Sequence, residues 1–284
     1  MPITQSPLRY PGGKTKLFPF VKEIIELNQL FDGHYVEPYA GGGGLALSLL
    51  FSGKTRYIHL NDLDVSIYAF WHSVLYSTEQ LCRAIEKVKI DMNEWEKQKV
   101  IQNKKSESDL FELGFSTLFL NRTNRSGIIT GGVIGGKNQN GKYKIDARFN
   151  KKDLIRKIQI AHFYRHRISI SNLDAMDFIK NAGTSLPNKT LVYLDPPYYD
   201  KGQELYQNFY SQQDHDAIAN AIPKLKPFWI LTYDNIKPIK DLYSQFTLIE
   251  YSLSYTAQNR YAGQEIFIAD PRLTLPAEER LFAS

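Results

Sequence analysis

The sequence predicts an α/β fold, an open sheet whose strands alternate with helices and finish in ligand-binding loops. Three observations carry that prediction. Leu191-Val192-Tyr193-Leu194 is a short apolar run cut off by Asp195-Pro196-Pro197, which reads as a buried strand that stops abruptly. Tyr35-Val36 leads into Gly41-Gly42-Gly43-Gly44 and an apolar helix over 45–51, so strand, glycine turn and helix follow one another. Further short apolar runs each end at an Asn or Asp: 56–60 before Asn61-Asp62, 167–171 before Asp174, and 228–233 before Asp234.

A chain of 284 residues suits one domain with an insertion, or two domains. Its 43% hydrophobic content is that of a globular protein, and its net charge of +5 permits a polyanionic partner without establishing one. The single cysteine, Cys82, lies inside a helical pattern, which excludes a disulfide framework and fits a reducing cytoplasm. No apolar run approaches the roughly 20 residues of a membrane span, and the first residues lack the regions of a signal peptide.

In chain order, Arg9-Tyr10-Pro11-Gly12-Gly13-Lys14-Thr15 precedes an amphipathic helix reaching about Leu30. Gly13-Lys14-Thr15 resembles the end of a phosphate-binding P-loop, but Leu8 stands where that pattern needs glycine and no strand precedes it. The segment reads instead as a glycine-bent loop that presents Lys14 and Arg9 to an anion. Gly41, Gly43 and Ala46 then fit G-x-G-x-x-[GA], and Asp62 follows about 20 residues on, where an acidic residue takes ribose hydroxyls. Together they point to a nucleoside-containing cofactor. A tight turn with Asp62 as a helix cap is the competing reading.

Residues 65–107 read as Lys- and Glu-rich helices, one of them spanning 79–100, and 110–120 is a further apolar helix. The chain then enters Asn121-Arg122-Thr123-Asn124-Arg125-Ser126-Gly127 and a glycine-rich stretch with Lys137 and Lys142. Arg and Asn read base edges and Lys neutralises phosphate, so this loop is either a DNA reader or a solvated, mobile connection. A basic helix over 151–166 returns to the sheet. Its His162 and His166 have helical spacing, but Phe163 breaks the zinc-protease pattern, and no metal set is found elsewhere. A helix over 214–225 follows, and strands over 246–251 and 265–269 pair as a hairpin around 254–263.

Asp195, Pro196 and Tyr198 offer a carboxylate, a carbonyl and a flat ring at one strand end, with Pro197 stiffening the backbone between them. That set suits a planar ligand bearing an amino group, whose hydrogens the acceptors take. A proline turn with Asp195 as a cap is the alternative.

Four segments together resemble the Dam-type (D12 class) DNA adenine N6-methyltransferases: Arg9-Tyr10-Pro11-Gly12-Gly13-Lys14, Val36-Glu37-Pro38-Tyr39-Ala40-Gly41-Gly42-Gly43, Asn61-Asp62 and Asp195-Pro196-Pro197-Tyr198. The resemblance spans most of 7–268. Three features depart from the family: a longer glycine-rich loop, Asn124-Arg125-Ser126 in place of an aromatic-containing run, and Pro11 where small residues are common.

The resemblance implies a doubly wound, Rossmann-like sheet ending in an antiparallel hairpin. It divides the chain into a catalytic part, 1–75 with 166–284, and a mainly helical DNA-recognition insert, 76–165. S-adenosylmethionine is the implied cofactor, lined by Tyr10, Lys14, Glu37, Pro38, Gly41, Gly43, Asp62 and Asp195, with Asp174 toward its adenine. Double-stranded DNA is the implied partner, met by Arg9, Asn121, Arg122, Asn124, Arg125, Lys137, Lys142 and Arg148. The target adenine is expected to flip out and stack on the Tyr198 ring, its amino group held by Asp195 and the Pro196 carbonyl.

The resemblance further implies a cytoplasmic enzyme of a bacterial, phage or mobile-element setting. A monomer is expected, with a dimer left open, and neither a metal nor a membrane is called for. A nicotinamide dehydrogenase leaves Asp-Pro-Pro-Tyr without a role, and cytosine C5 methylation needs a nucleophilic cysteine that Cys82 does not supply. N4-cytosine methylation, or a DNA-binding relative without activity, remain the alternatives.

Overall fold

The computed structural model describes residues 4–10, 14–199, 210–255 and 261–278. Pro11, Gly12 and Gly13 of the N-terminal motif, and the hairpin connection 256–260, lie outside the described residues.

Seven strands form one sheet in the order β3-β2-β1-β4-β5-β7-β6. They are β1 (His34–Glu37), β2 (Tyr57–Asn61), β3 (Ile168–Ser171), β4 (Thr190–Leu194), β5 (Phe228–Asp234), β6 (Thr247–Tyr255) and β7 (Tyr261–Ala269). The first five are parallel, and β7 runs antiparallel to β5 and to β6. The order reverses between β1 and β4, where an open sheet forms its ligand crevice. This is the doubly wound sheet with a terminal hairpin that the motifs implied.

Helices cover both faces, because the central strands are apolar on both sides. On one face α1 (Phe18–Leu27), α2 (Gly44–Phe51) and α3 (Val65–Tyr76) bury Phe20, Leu47 and Phe70 against Tyr35, Ile58, Leu191 and Phe267. On the other, α8 (Ala175–Ser185), α9 (Gln212–Ala221) and α10 (Lys237–Leu242) cover Val36, Val192, Trp229 and Ile268. Strand alternation decides which residues meet which helices. Tyr193 pairs with Ile230 and Thr232 with Phe267, so all four share the first face.

Between β2 and β3 the chain forms α4 (Thr78–Lys87), α5 (Met92–Asn103), α6 (Leu110–Thr123) and α7 (Lys151–Phe163). Their Leu81, Trp95, Leu118 and Ile158 belong to the same apolar cluster as the first sheet face. Helix α6 crosses α3 closely at Gly114, where a Cβ would lie 2.4 Å from the Ala69 carbonyl oxygen. A side chain there would push the insert away from the sheet.

Three helix boundaries differ from the sequence reading. The single helix expected over 79–100 is two, because Val88 turns extended and Asp91 starts a new helix by accepting from the Glu94 N–H at 2.9 Å. The basic helix ends at Phe163, and a 3-10 turn, Arg165–Arg167, leads into β3. Helix α6 runs on to Thr123, which places Asn121 and Arg122 on a helix and not on a loop.

The carboxyl ends of the first three strands are tied by one side chain. Asn61 is fully buried, its Nδ2 donating to the carbonyls of Pro38 and Leu173 at 3.0 Å each. Its Oδ1 accepts from Ser171 Oγ at 2.7 Å and from the Leu173 N–H at 3.0 Å. Replacing Asn61 with Ala is expected to lower the unfolding free energy by about 2–3 kcal/mol, since it strands several buried polar groups. Urea unfolding of the variant measures this, and a loss within error of zero would show that water replaces the amide.

Candidate active site

Alternation along the strands lays a polar strip across the carboxyl end of the first sheet face. Tyr193 on β4, Asp195 just beyond it, Thr232 on β5, Glu265 on β7 and Tyr251 on β6 all contribute. Lys14, in the 3-10 turn Lys14–Leu17 that leads into α1, lies against them. Its ammonium stands 2.9 Å from each oxygen of Asp195, 2.9 Å from the Tyr198 hydroxyl and 3.7 Å from Glu265. Thr232 donates to Asp195 Oδ1 at 2.8 Å and meets the Tyr193 hydroxyl at 2.8 Å. The hydroxyls of Tyr198 and Tyr251 both donate to Glu265.

Exposure separates the members of this network. Asp195 keeps 22% of its side chain accessible, against 4% for Lys14 and 1% for Glu265, so Asp195 is the one that faces outward. Its Oδ1 has two donors and its Oδ2 one, which leaves Oδ2 the freer acceptor. Burial raises the Glu265 carboxyl above its ordinary range, with Lys14 opposing that shift and Asp195 adding to it.

The sequence reading gave Tyr198 a ring to stack on. The structure also employs its hydroxyl, which accepts from Lys14 and donates to Glu265 while the residue is buried. Sequence reasoning missed Thr232, Tyr251 and Glu265. The signal available was a lone acid inside the apolar run Ile266-Phe267-Ile268-Ala269.

The neighbouring strand end holds the glycine turn. Gly41 and Gly43 have φ of +47° and +57°, and a Cβ on Gly41 would lie 2.6 Å from the Tyr10 ring, so Tyr10 covers the turn directly. Asp62 accepts from the Gly41 N–H through Oδ2 at 2.8 Å and from the Asp64 N–H through Oδ1 at 2.9 Å. Burial raises its carboxyl to about 7 despite those bonds.

Glu37 and Pro38 support the turn from below, which corrects their place among the cleft-lining residues. Both are buried; Glu37 accepts from the Ala46 N–H at 3.1 Å, and the Pro38 carbonyl is taken by Asn61. Burial pushes the Glu37 carboxyl up to about 8. Asp174 is exposed and caps α8 by accepting from the Met176 N–H at 2.8 Å. Tyr39 and Tyr210, not foreseen, bring their hydroxyls within 3.1 Å of each other, and the charge of Asp174 reaches both.

A family model described as D12 class N6 adenine-specific DNA methyltransferase matches residues 10–257. The chain belongs to that family. It is similar to the Type II methyltransferase M.MjaIII of Methanocaldococcus jannaschii, 23% identical over 207 residues that cover 67% of this chain and 68% of that protein. Among solved structures it overlaps a chain described as a class I S-adenosylmethionine-dependent methyltransferase from Listeria monocytogenes, at 12% identity and a TM-score of 0.39. That match covers 93% of this chain and 62% of the other.

S-adenosylmethionine is the methyl donor of this methyltransferase family. The strand-end residues suit it: a positive-φ glycine turn where the backbone is bare, a carboxylate beside that turn, and Asp195 across the reversal of strand order.

On the DNA-binding side, Asn121 and Asn124 are corrected. Asn121 is buried, accepting from the Arg9 N–H and donating to the carbonyls of Arg9 and Gly127 at 2.7 and 2.8 Å. Asn124 is buried too, bonded to Trp95 Nε1 and to the carbonyls of Ile128 and Ile129. Both amides hold the methyltransferase's own backbone, so neither faces a base.

Arg122 donates through Nε to the Arg148 carbonyl at 2.8 Å, and burial with the charges of Arg9 and Arg148 lowers it to about 10. Arg9 is lowered by burial and by Arg148. These three guanidiniums crowd one another. Asp153, the acid whose charge reaches Arg122, pairs with Arg156 and Lys157. Arg125, Lys137, Lys142 and Arg148 are exposed. The glycine-rich stretch is not a loose connection. Gln139 bonds the carbonyls of Ile134 and Gly136 and the Ile145 N–H, folding it on itself.

The raised carboxyl of Asp62 gives a pH test. A ribose hydroxyl donates best to the ionised form, so affinity for S-adenosylhomocysteine is expected to fall as pH drops below about 7 and to stay level above it. Calorimetry across neutral pH measures this. Asp62→Asn should abolish the slope, and a slope that survives the substitution would assign it to another group.

Proposed function

We propose that this chain methylates N6 of an adenine flipped out of duplex DNA, by direct attack on the cofactor with no covalent enzyme intermediate. The observation that carries this reading is Asp195, held at the end of β4 by Lys14 and Thr232, with Oδ2, which meets Lys14 alone, as its freer acceptor. S-adenosylmethionine supplies an electrophilic methyl group, whose bonding pair leaves with sulfur. Tyr10, the Gly41–Gly43 turn (41–43) and Asp62 are assigned to holding it, with Asp174 and the Tyr39–Tyr210 pair at the outer rim.

Asp195 has two tasks in this reading. The adenine amino lone pair is delocalised into its ring, and acceptance of its hydrogens by Oδ2 and by the Pro196 carbonyl favours a pyramidal, nucleophilic nitrogen. Oδ2 then receives the proton that alkylated N6 sheds and passes it to solvent. Lys14 and Thr232 fix the carboxylate before substrate arrives, so little reorganisation is left for the reaction. Pro197 keeps the segment extended and Tyr198 anchors its far end through the hydroxyl.

The insert, 76–165, is assigned to target recognition. Arg9, Arg122 and Arg148 converge without a free acid, which supports a seat for a DNA phosphate, where a counter-anion relieves their mutual repulsion. Arg122 is bound to backbone carbonyls, so it acts there and not as a reader of bases. Exposed Arg125 is the candidate base reader, with Lys137 and Lys142 on phosphates. A monomer acting in the cytoplasm of a bacterium, within a restriction–modification pair, fits this reading.

Two outcomes are expected. Asp195→Asn should cut the single-turnover methylation rate by about 10²–10³ at saturating cofactor, with duplex affinity near normal. Undiminished methylation would sink the amino-group mechanism. Arg148→Ala should weaken cognate and random duplexes alike and lower the slope of log affinity against log salt by about 1. A change of sequence preference instead would move Arg148 to the base-reading set.

A further inference from the structure

We propose that Glu265 is a positioning residue for methyl transfer: it shares Lys14 with Asp195, which fixes the Asp195 carboxylate with Oδ2 as its less occupied oxygen and leaves an excess of negative charge beside the reacting atoms. The proposal rests on the reading above, in which Asp195 accepts from that amino group.

Geometry carries it first. Lys14 lies 2.9 Å from both Asp195 oxygens and 3.7 Å from Glu265, and the Tyr198 hydroxyl bridges ammonium and carboxylate. A buried charge needs partners. Glu265, with 1% of its side chain exposed, takes two hydroxyl donors and part of one ammonium. Tyr198 donates to one oxygen and Tyr251 to the other, so both acceptors of a carboxylate are in use. An amide of the same shape offers only one.

Charge carries it second. Two carboxylates face one ammonium, leaving the network one negative charge in excess. The methyl group arrives on a sulfonium and leaves a positive charge on N6, so an excess negative charge beside it favours the reacting set throughout. Among the described residues, the ionisable groups facing Glu265 are Lys14 from the 3-10 turn, Asp195 and Tyr198 beyond β4, Tyr193 on β4, Tyr251 on β6 and Asp234, its register partner on β5. None of these but Lys14 is a cation.

The test uses the full chain with Glu265→Gln and Tyr251→Phe. Single-turnover rates are measured across pH at saturating cofactor, and affinities for S-adenosylmethionine and S-adenosylhomocysteine by calorimetry. Glu265→Gln should slow the reaction by roughly tenfold or more. Its acid limb should move to lower pH, because a proton no longer meets two like charges. Its preference for S-adenosylmethionine over the product, which lacks the sulfonium charge, should shrink, a readout independent of turnover. Tyr251→Phe withdraws one donor from the Glu265 anion, so its acid limb should move to higher pH with little loss of maximal rate, and it decides the matter if the first variant does not fold. Acid limbs unmoved in the folded variants, with the cofactor preference intact, would make Glu265 a structural acid only. A wild-type chain that leaves adenine unmethylated would overturn the preceding reading instead.

Discussion

A lysine ammonium 4% exposed has to be met by acids, and the fold of this chain is arranged around meeting it. Lys14 enters from the N-terminal segment, Asp195 from the end of β4 and Glu265 from β7, so three distant parts of the chain converge on one charge. The antiparallel hairpin makes this convergence possible. A parallel strand would bring only its last residues to the carboxyl edge, whereas antiparallel β7 crosses that edge at its middle residue, Glu265, opposite Asp234 at the end of β5. Removing any one partner would strand the others in the core, which is why the site and the stability of this edge are the same interaction.

The N-terminal segment couples the network to the rest of the molecule. Within a few residues Arg9 is bracketed by Asn121 of the insert, Tyr10 covers Gly41 of the cofactor turn, and Lys14 reaches Asp195. Arg9, Tyr10 and Lys14 therefore touch the insert, the Gly41 turn and the Asp195 carboxylate in turn.

Burial also sorts the acids at the sheet edge by task. Glu37 and Glu265 lie beneath the surface and their carboxyls are raised by desolvation, which suits anchoring. Asp62 is raised to about 7, between its two forms near neutrality, which suits a contact that tightens when a donor arrives. Asp195 alone combines outward exposure with a cation at contact distance.

Much of this was legible in the residues because it is local. Strand-terminating prolines, glycines that need positive φ, and an acid at the end of the second strand are dictated by backbone sterics and spacing, so β1, β2, β4, the Gly41 turn and the Asp195 position could be read before any packing was known. The Lys14 and Asp195 roles came from resemblance, and the tertiary structure supplied their contact. What the sequence could not decide was which polar residues are spent inside. Asn121 and Asn124 look like base readers among arginines and glycines, yet both are buried: helix α6 continues to Thr123 and turns Asn121 inward, and Asn124, just past its end, is held by Trp95 and the carbonyls of Ile128 and Ile129. Glu265 looks like an edge-strand acid, yet register places it opposite Asp234 and under Lys14. The Asn121 and Glu265 assignments depend on contacts with Arg9 and Lys14, more than a hundred positions away, and no local pattern of side chains encodes them.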